Sequence, residues 1–405
     1  MKNTKGPKPT PDGRPDRLIS LDAFRGITIA GMVLVNNPGS WDAIYPPLEH
    51  AEWNGWTPTD LVFPFFLFIV GVAITFSLGK RVEAGGPKRD LYLKIFRRAV
   101  LIFVIGLILN TFPFYDFAKG EWLDPGMIRI MGVLQRIAIC YLIASILFLH
   151  TDWRQQVIIA IGLLIIYWFL MTFIDVPGCL TTSVDLKPCN LAAYTDRSIF
   201  GENHMWQQSK VYDPEGLLST IPAIATTVAG MLTGTWLKSE PPAVAGGLTR
   251  NDGDAQYRKV AAIFFFGILL VTLGWIWNFW FPINKRLWTS SYVVFTAGLA
   301  LCFLGACYLL IDIKKYTAWA KPFIIFGANA IALYIGSEIL AVALGVIRVG
   351  GSDGKPIALQ DWIFNDLFLT WATPVNASLA MAICTILVWL FLMWLLYRKQ
   401  IFIRL

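Results

Sequence analysis

Charged residues are scarce in this chain: Asp, Glu, Lys and Arg supply 15% of its 405 residues, whereas 56% are hydrophobic. A soluble domain of this length exposes far more charge, so the composition indicates an integral membrane protein. Histidine is rarer still, with three copies, and the six cysteines form no CxxC spacing. We therefore expect no metal site.

Ten apolar runs are long enough to cross the ~30 Å hydrocarbon core of a bilayer as helices. Hydrophobicity along them does not alternate with a period of two, which argues against an outer-membrane β-barrel. The sequence predicts an all-α integral membrane protein, a bundle of about ten transmembrane helices forming a single domain over residues 18–397. The predicted spans are 18–36, 61–79, 99–115, 128–150, 157–175, 216–237, 260–281, 292–311, 322–343 and 377–397.

The charges between these runs predict an orientation. Segments on the side of the N-terminus hold 23 Lys and Arg residues, and segments on the opposite side hold 8. The positive-inside rule then places both termini in the cytoplasm and the outer loops 37–60, 176–215 and 344–376 on the other side. Residues 1–17 are predicted to be a basic, disordered cytoplasmic tail, and 398–405 a second short tail. Topology explains the net charge of +7, so we expect no nucleic-acid partner.

Two cysteines share one predicted outer loop. Cys179 and Cys189 lie within 176–215, which is an oxidising location under this topology. A disulfide between them and a pair of free thiols are both compatible with the sequence.

The first span carries two charges. Asp22 and Arg25 are three residues apart and so share one face of a helix. Charges inside a membrane are costly and are usually paired or functional. Two interpretations stay open: a structural ion pair, or an arginine that lines the opening for an anionic ligand.

The fourth span carries two arginines and a glutamine. Arg129 and Arg136 are seven residues apart, which predicts one shared helical face with Gln135 beside it. A buried cation needs either a carboxylate from another span or a bound anion. We favour the bound anion.

His50 lies in a predicted outer loop just before the second span. Trp53 and Asn54 follow it and could close a pocket over the imidazole. A neutral imidazole can remove a proton from a hydroxyl or an amine, although a loop histidine is more often incidental. Thr57, Pro58 and Asp60 fit a helix cap at the start of the span, which accounts for the carboxylate structurally.

Long motifs in the chain resemble those of the heparan-α-glucosaminide N-acetyltransferase family of transmembrane acyltransferases. "RLISLDAFRGITIAGMVLVN" is followed by "HAEWNGWTPTDLVFPFFLFIVG", "GVLQRIAICY" and "YDPEGLLSTIPAIATTVAG". "FPINKRLWTSSYVV" and "FGANAIALYIGSEIL" continue the match in order, so the resemblance covers about residues 17–400.

The resemblance implies transfer of an acetyl group across the membrane, from cytoplasmic acetyl-CoA to the amine of a glucosamine on the other side. The family's catalytic histidine matches His50, and its functional asparagine matches Asn36. The chain begins with a basic tail where the animal lysosomal enzyme has a further lumenal region and span, so it looks like a bacterial relative. We therefore expect a bacterial inner-membrane protein with its active site facing the periplasm, and the acceptor does not carry over.

Under the acetyltransferase hypothesis, His50 acts as a general base in a ternary complex, and Asn36 stabilises the oxyanion or orients His50. A nucleophilic His50 that carries the acetyl group is the second mechanism. Residues assigned to coenzyme A by charge and depth are Arg25, Arg129, Gln135 and Arg136. Trp53, Asn54 and Lys285 are assigned to the acceptor, although Lys285 could equally be an interfacial lysine.

The partners expected are acetyl-CoA, an amino sugar or glycan and the lipid bilayer, and a homodimer is compatible with the sequence. A carrier of a small anion or metabolite is the alternative function. The ten predicted spans of this chain and the charges within them fit a carrier, but the two halves of the chain show no internal repeat.

Overall fold

A computed structural model of the chain describes residues 18–83, 85, 88–117, 120–238, 252–350 and 355–403. The predicted tail 1–17 and the last two residues of 398–405 lie outside these ranges. The helices within them are α1 (Ile19–Asn36), α2 (Val62–Glu83), α3 (Lys88–Thr111), α4 (Val133–His150), α5 (Trp153–Phe173), α6 (Leu191–Phe200), α7 (Thr220–Lys238), α8 (Asp252–Trp277), α9 (Ser290–Cys307), α10 (Lys321–Ala328), α11 (Ala330–Val346), α12 (Leu359–Trp362) and α13 (Pro374–Arg398). Two short antiparallel pairs connect them, β1 (Tyr115–Asp116) with β2 (Glu121–Trp122), and β3 (Arg348–Gly350) with β4 (Pro356–Ala358).

The predicted helical membrane fold is confirmed in its class. Among the described residues, seven helices are long and apolar enough to cross a membrane, and the bent pair α10–α11 would be an eighth. Two further helices, α3 and α7, lie over the predicted spans 99–115 and 216–237. Twelve of the nineteen residues of α7 are buried by protein, so its threonines and glycines need not face lipid. The count of ten spans and the location of both termini stay predictions.

The spans divide into inner and outer helices. Between 50% and 61% of the apolar stretch is buried in α1, α2, α4 and α9, but only 22% in α5, α8 and α13. The outer helices expose large aliphatic and aromatic side chains such as Ile158, Phe265 and Leu387. Such surface is stable against hydrocarbon and costly in water, so these helices form the lipid-facing layer.

Glycine brings α2 and α7 into close contact on one side of the inner layer. A Cβ atom at Gly71 would lie 1.9 Å from the carbonyl oxygen of Thr227, and one at Gly230 would lie 1.9 Å from that of Phe68. Small residues at a helix interface let two backbones approach closely, as is common between transmembrane helices. One side of α2 is therefore packed tightly against α7.

The ninth predicted span, 322–343, is a broken helix. Its two parts, α10 and α11, meet at an angle of 82°. Asn329 lies at the break, where its side-chain amide donates to the carbonyl oxygen of Ile401 and accepts from the backbone N–H of Ile403. Irregular backbone at membrane depth needs such internal partners because lipid offers none.

The loop 176–215 is folded rather than extended. A disulfide joins Cys179 to Cys189, which confirms the first of the two alternatives for these cysteines. The loop also contains α6, whose first turn is capped by the Asn190 side chain accepting from the backbone N–H of Ala193. These features fix the loop above the ends of the inner helices.

The contact between α2 and α7 predicts that Gly230→Ala destabilises the protein. The added methyl group must push against the Phe68 carbonyl, and overpacking of this kind costs about 1–3 kcal/mol. Gly162→Ala in α5 is the matched control, because nothing lies within 4 Å of its Cβ position. Thermal unfolding in detergent should show a lower midpoint for Gly230→Ala alone. Equal midpoints for the two variants would contradict the close contact.

Candidate functional site

A cavity of about 960 Å³ runs along the other side of the inner layer, beside α1 and α2. Its lining residues in α2 extend from Val62 to Arg81, which are about 28 Å apart at ~1.5 Å per residue. One end, the histidine end, is lined by His50, Trp206, Glu215, Lys285 and Arg286. The opposite end, the arginine end, is lined by Arg25, Ser77, Arg81 and Arg98.

The buried Asp60 carboxylate holds His50 in place. Its Oδ1 lies 2.7 Å from His50 Nδ1, and its Oδ2 accepts from the backbone N–H groups of Ala51 and Thr57 at 3.0 Å. An ionised carboxylate only accepts hydrogen bonds, so Nδ1 carries the proton and the lone pair is on Nε2. The imidazole therefore has the tautomer required of a base at Nε2.

The predicted helix cap is present at the same carboxylate. Thr57 and Asp60 form a capping box at the start of a 3-10 turn, Pro58–Leu61, which leads into α2 at Val62. The sequence motif predicts the role of Asp60 in the cap but not its bond to His50. Nothing in the motif distinguishes these roles, because an acidic residue at this position is favourable for the helix start alone.

Lys285 is the second charged neighbour of His50. Its Nζ lies 3.1 Å from both Nδ1 and Nε2 of the imidazole and 3.9 Å from Asp60 Oδ1. Two links hold its loop beside the His50 loop: the backbone N–H of Gly55 donates to the carbonyl oxygen of Ile283, and the Asn284 side chain donates to that of Asn54.

Burial shifts the proton affinities of both groups. It lowers the pKa of His50 below its ordinary value, with Lys285 and Arg286 acting in the same direction and Asp60 opposing them. Burial also lowers the pKa of Lys285 to about 8, although the nearby carboxylates of Asp60 and Glu215 raise it. His50 is consequently neutral near pH 7, as a general base must be.

Asn36 lies at the last residue of α1 and lines the same cavity as His50. Its side-chain amide donates to the Glu338 carboxylate of α11 over 3.4 Å. The structure therefore brings both residues that the motifs assigned to catalysis to one cavity.

Trp53 and Asn54 have scaffold contacts instead of lining this cavity. The Trp53 indole donates to the carbonyl oxygen of Val184, and the Asn54 amide donates to the Asp185 carboxylate at 2.6 Å. Both side chains tie the His50 loop to the folded loop 176–215. Their expected acceptor contacts therefore have no direct support in the geometry.

Arg129 has carboxylate partners from another part of the chain, and not the bound anion favoured above. Its guanidinium bonds to Asp213 and to Glu215 at 2.6 Å each, and its side chain is 19% exposed. Glu215 lies just before the predicted span 216–237, and it pairs with this arginine and lines the histidine end. Two carboxylates thus neutralise Arg129 at the edge of the cavity.

The predicted shared helical face of Arg129 and Arg136 was wrong. α4 begins at Val133, so Arg129 lies before the helix, and Arg136 lies in the first turn rather than deep in the span. Gly132, in a fully extended conformation, ends the irregular stretch that precedes the helix. The two cations therefore do not act as a pair on one helix.

Arg136 and Gln135 are fully buried, and neither lines the cavity. Arg136 donates to Ser219 and to the carbonyl oxygen of Gly216, and its guanidinium lies 5.0 Å from the Trp288 ring centre. It thereby fastens the segment that carries Glu215. The Gln135 amide packs against the Gly106 backbone of α3.

The arginine end contains the expected pair of the first span. Arg25 bonds to Asp22 at 2.7 Å, and both residues line the cavity. The ion pair is therefore present and Arg25 also lines the cavity, and an anionic ligand of Arg25 stays a prediction. Arg81 and Arg98 line the same end and were missed, since seven Lys and Arg residues lie between positions 80 and 98 and nothing in the sequence distinguishes these two.

The ion pairs at the histidine end predict that Arg129→Met destabilises the protein strongly. The change leaves two carboxylates without their cation, and breaking a buried pair costs about 3–5 kcal/mol. The control is Glu52→Gln, which removes an exposed pair with Lys187 of 3.8 Å. That surface contact is worth about 0–1 kcal/mol. Thermal unfolding should separate the two variants clearly, and a similar small loss in both would contradict a structural role for Arg129.

Comparison with known proteins identifies a family and two relatives of this chain. Residues 17–199 match the family model described as "Heparan-alpha-glucosaminide N-acetyltransferase, catalytic". The chain is 30% identical to the human heparan-alpha-glucosaminide N-acetyltransferase over 448 residues, covering 96% of the chain and 60% of that protein. It is 32% identical to the mouse protein of the same name over 371 residues, covering 80% of the chain and 54% of that protein.

The chain thus spans less than two thirds of the length of either relative. The region in which it matches the family model contains α1, the His50 loop and the start of α2, which together hold Asn36, His50 and Asp60. The family model and both relatives confirm the resemblance, drawn from the motifs, to the heparan-α-glucosaminide N-acetyltransferase family.

Proposed function

We propose that this chain is a transmembrane acetyltransferase that moves an acetyl group from acetyl-CoA to the amine of an amino sugar. The observation that carries the proposal is the single cavity that joins a carboxylate-bound histidine at one end to a group of arginines at the other. The family named by the relatives supports the reaction class.

His50 is proposed as the general base at the histidine end. With its Nδ1 proton donated to Asp60, Nε2 can accept the proton of the acceptor amine as the amine nitrogen attacks the thioester carbonyl. A carbon–nitrogen bond forms, the carbon–sulfur bond breaks, and the departing thiolate takes the proton back from His50. The products are the N-acetyl sugar and free coenzyme A.

Asn36 is proposed to stabilise the negative charge that develops on the carbonyl oxygen. Its side-chain amide is a hydrogen-bond donor on the cavity wall, and its present bond to Glu338 is long at 3.4 Å. A donor held loosely in this way can turn toward an oxyanion at small cost. Direct transfer in a ternary complex is favoured over an acetyl-histidine, because one cavity can hold both substrates against the same imidazole.

The arginine end is proposed to bind the phosphates of coenzyme A. Arg25, Arg81 and Arg98 supply cationic donors there, and the cavity beside α2 gives the flexible arm of the donor a path of about 28 Å to His50. The positive-inside rule puts this end in the cytoplasm, where acetyl-CoA is made, and His50 on the periplasmic side. This assignment moves the phosphate site away from Arg129, Gln135 and Arg136.

The catalytic proposal predicts loss of glucosamine-stimulated release of free coenzyme A in His50→Ala. Purified protein in nanodiscs would be given acetyl-CoA with and without glucosamine. We also expect Asp60→Asn to slow release by about 100-fold or more, because the imidazole loses the carboxylate that sets its tautomer. His204→Gln is the matched histidine control, since the His204 imidazole bonds to the carbonyl oxygen of Ile128 and does not line the cavity.

Stimulated release that persists in His50→Ala would remove the assignment of the base and keep the enzyme. Uptake of a labelled small anion into vesicles by both wild type and His50→Ala, with no acetylated sugar formed, would instead support the carrier.

The phosphate proposal predicts that Arg98→Gln raises KM for acetyl-CoA. Loss of one charged hydrogen bond corresponds to about 10-fold or more in affinity. Arg97→Gln is the control, because Arg97 is an exposed neighbour on the same helix. With S-acetylpantetheine as donor, which lacks the nucleotide phosphates, the two variants should have equal KM. An Arg98→Gln defect of the same size with both donors would contradict phosphate binding.

A further inference from the structure

Lys285 is the charged group in contact with His50 that the proposed reaction does not use. Its side chain is 16% exposed, and its Nζ lies 3.1 Å from each imidazole nitrogen. Because Nζ is equally far from Nδ1 and Nε2, it lies on the plane that perpendicularly bisects the line between these two nitrogens. Cε1 lies on the same plane. In the ring plane an atom so close would collide with the ring carbons. Nζ therefore lies over the face of the imidazole.

This position has a chemical consequence. The lone pair on Nε2 points outward in the ring plane, so an ammonium group over the face does not occupy it. Asp60 occupies Nδ1, also in the plane. The Nε2 lone pair is thus left for a proton while a positive charge lies against the ring.

We propose that Lys285 is a positioning residue whose ammonium group, held over the imidazole face, keeps His50 uncharged against the pull of the Asp60 carboxylate. The proposal rests on the proposed function only for the identity of the proton that His50 accepts.

The charges around the ring act on His50 in opposite directions, in addition to its burial. A carboxylate bonded to Nδ1 favours the imidazolium form, in which His50 can no longer accept a proton. A cation in van der Waals contact disfavours that form. The charged groups that face His50 are Asp60, Lys285 and Arg286. Those that face Lys285 are Asp60, Glu215, Arg286 and Arg136.

Two hydrogen bonds of the Asn284 side chain hold the loop of Lys285 beside the His50 ring. The Asn284 side chain accepts from the backbone N–H of Leu287 at 2.9 Å, which closes a tight turn around Lys285. The same side chain donates to Asn54, four residues after His50. The two loops therefore move together, and the contact of ammonium with imidazole is built into their connection.

The effect operates while Lys285 is charged. Burial lowers the pKa of Lys285 to about 8, so its ammonium is present through the range in which an ordinary imidazole titrates. Removing it should raise the pKa of His50, so that His50 becomes protonated at a higher pH than in the wild type. Catalysis would be lost on the acid side and recovered as the pH rises above the new pKa.

The direct test is an NMR titration of the imidazole signals in nanodiscs. The chain has three histidines, so His50 is assigned by comparison with His50→Gln. We expect the pKa of His50 to rise by about one pH unit or more in Lys285→Met and to stay low in Lys285→Arg. Lys187→Met is the matched control, an exposed lysine near Trp53. Unchanged His150 and His204 signals would show that each variant is folded.

An unchanged pKa of His50 in folded Lys285→Met overturns the proposal, whatever the protein catalyses. A raised pKa supports it even where no acetyl transfer is found, which would count against the proposed function alone. In an active preparation, a rise of one unit in the His50 pKa should lower the rate of Lys285→Met relative to wild type by up to about 5-fold at pH 6.5, and the ratio should return toward one at pH 9. A loss of equal size at every pH, with a raised acceptor KM, would assign Lys285 to acceptor binding and overturn its role on His50.

Discussion

The Asp60 carboxylate is the interaction on which the histidine end depends. Its two oxygens bind His50 and the backbone N–H groups of Ala51 and Thr57, so one buried group starts α2, closes the loop and sets the imidazole tautomer. The carbonyl oxygen of the same residue accepts from the Tyr292 hydroxyl of α9. A membrane span, the His50 loop and a second inner helix therefore meet at one residue.

Three arginines within the bundle have charged or polar partners. Arg129 has two carboxylates, Arg25 has Asp22, and Arg136 has a hydroxyl, a carbonyl oxygen and an aromatic face. Unpaired ions at these depths would cost several kcal/mol each. The arginine at the histidine end has structural partners, and the proposed phosphate site is at the arginine end.

Sequence patterns located the helices and His50 because each depends on local features. Hydrophobic runs predict spans, and the Thr57–Asp60 cap has its own signature. The pairing of Asp60 with His50 and of Glu215 with Arg129 could not be read from the chain. Each carboxylate has a sufficient local explanation at a helix start, and its distant partner is brought to it only by the packing of other elements.

The start of α4 shows how a small shift in a helix boundary changes a functional assignment. A helix over 128–150 would align Arg129 with Arg136 and create a cationic face that needs an anionic partner. The helix in fact begins at Val133, and Arg129, in the irregular stretch before it, bonds to Asp213 and Glu215. Arg136 is buried in the packed interior. The proposed anion-binding role is therefore assigned to arginines on other helices, at the opposite end of the cavity. Close glycine contacts with α7 fix one side of α2, and the cavity borders α2 elsewhere, so under the proposed function His50 stays in place and does not travel to a distant donor. The donor must instead reach His50 along the cavity, which favours an acyl group carried on a long flexible arm.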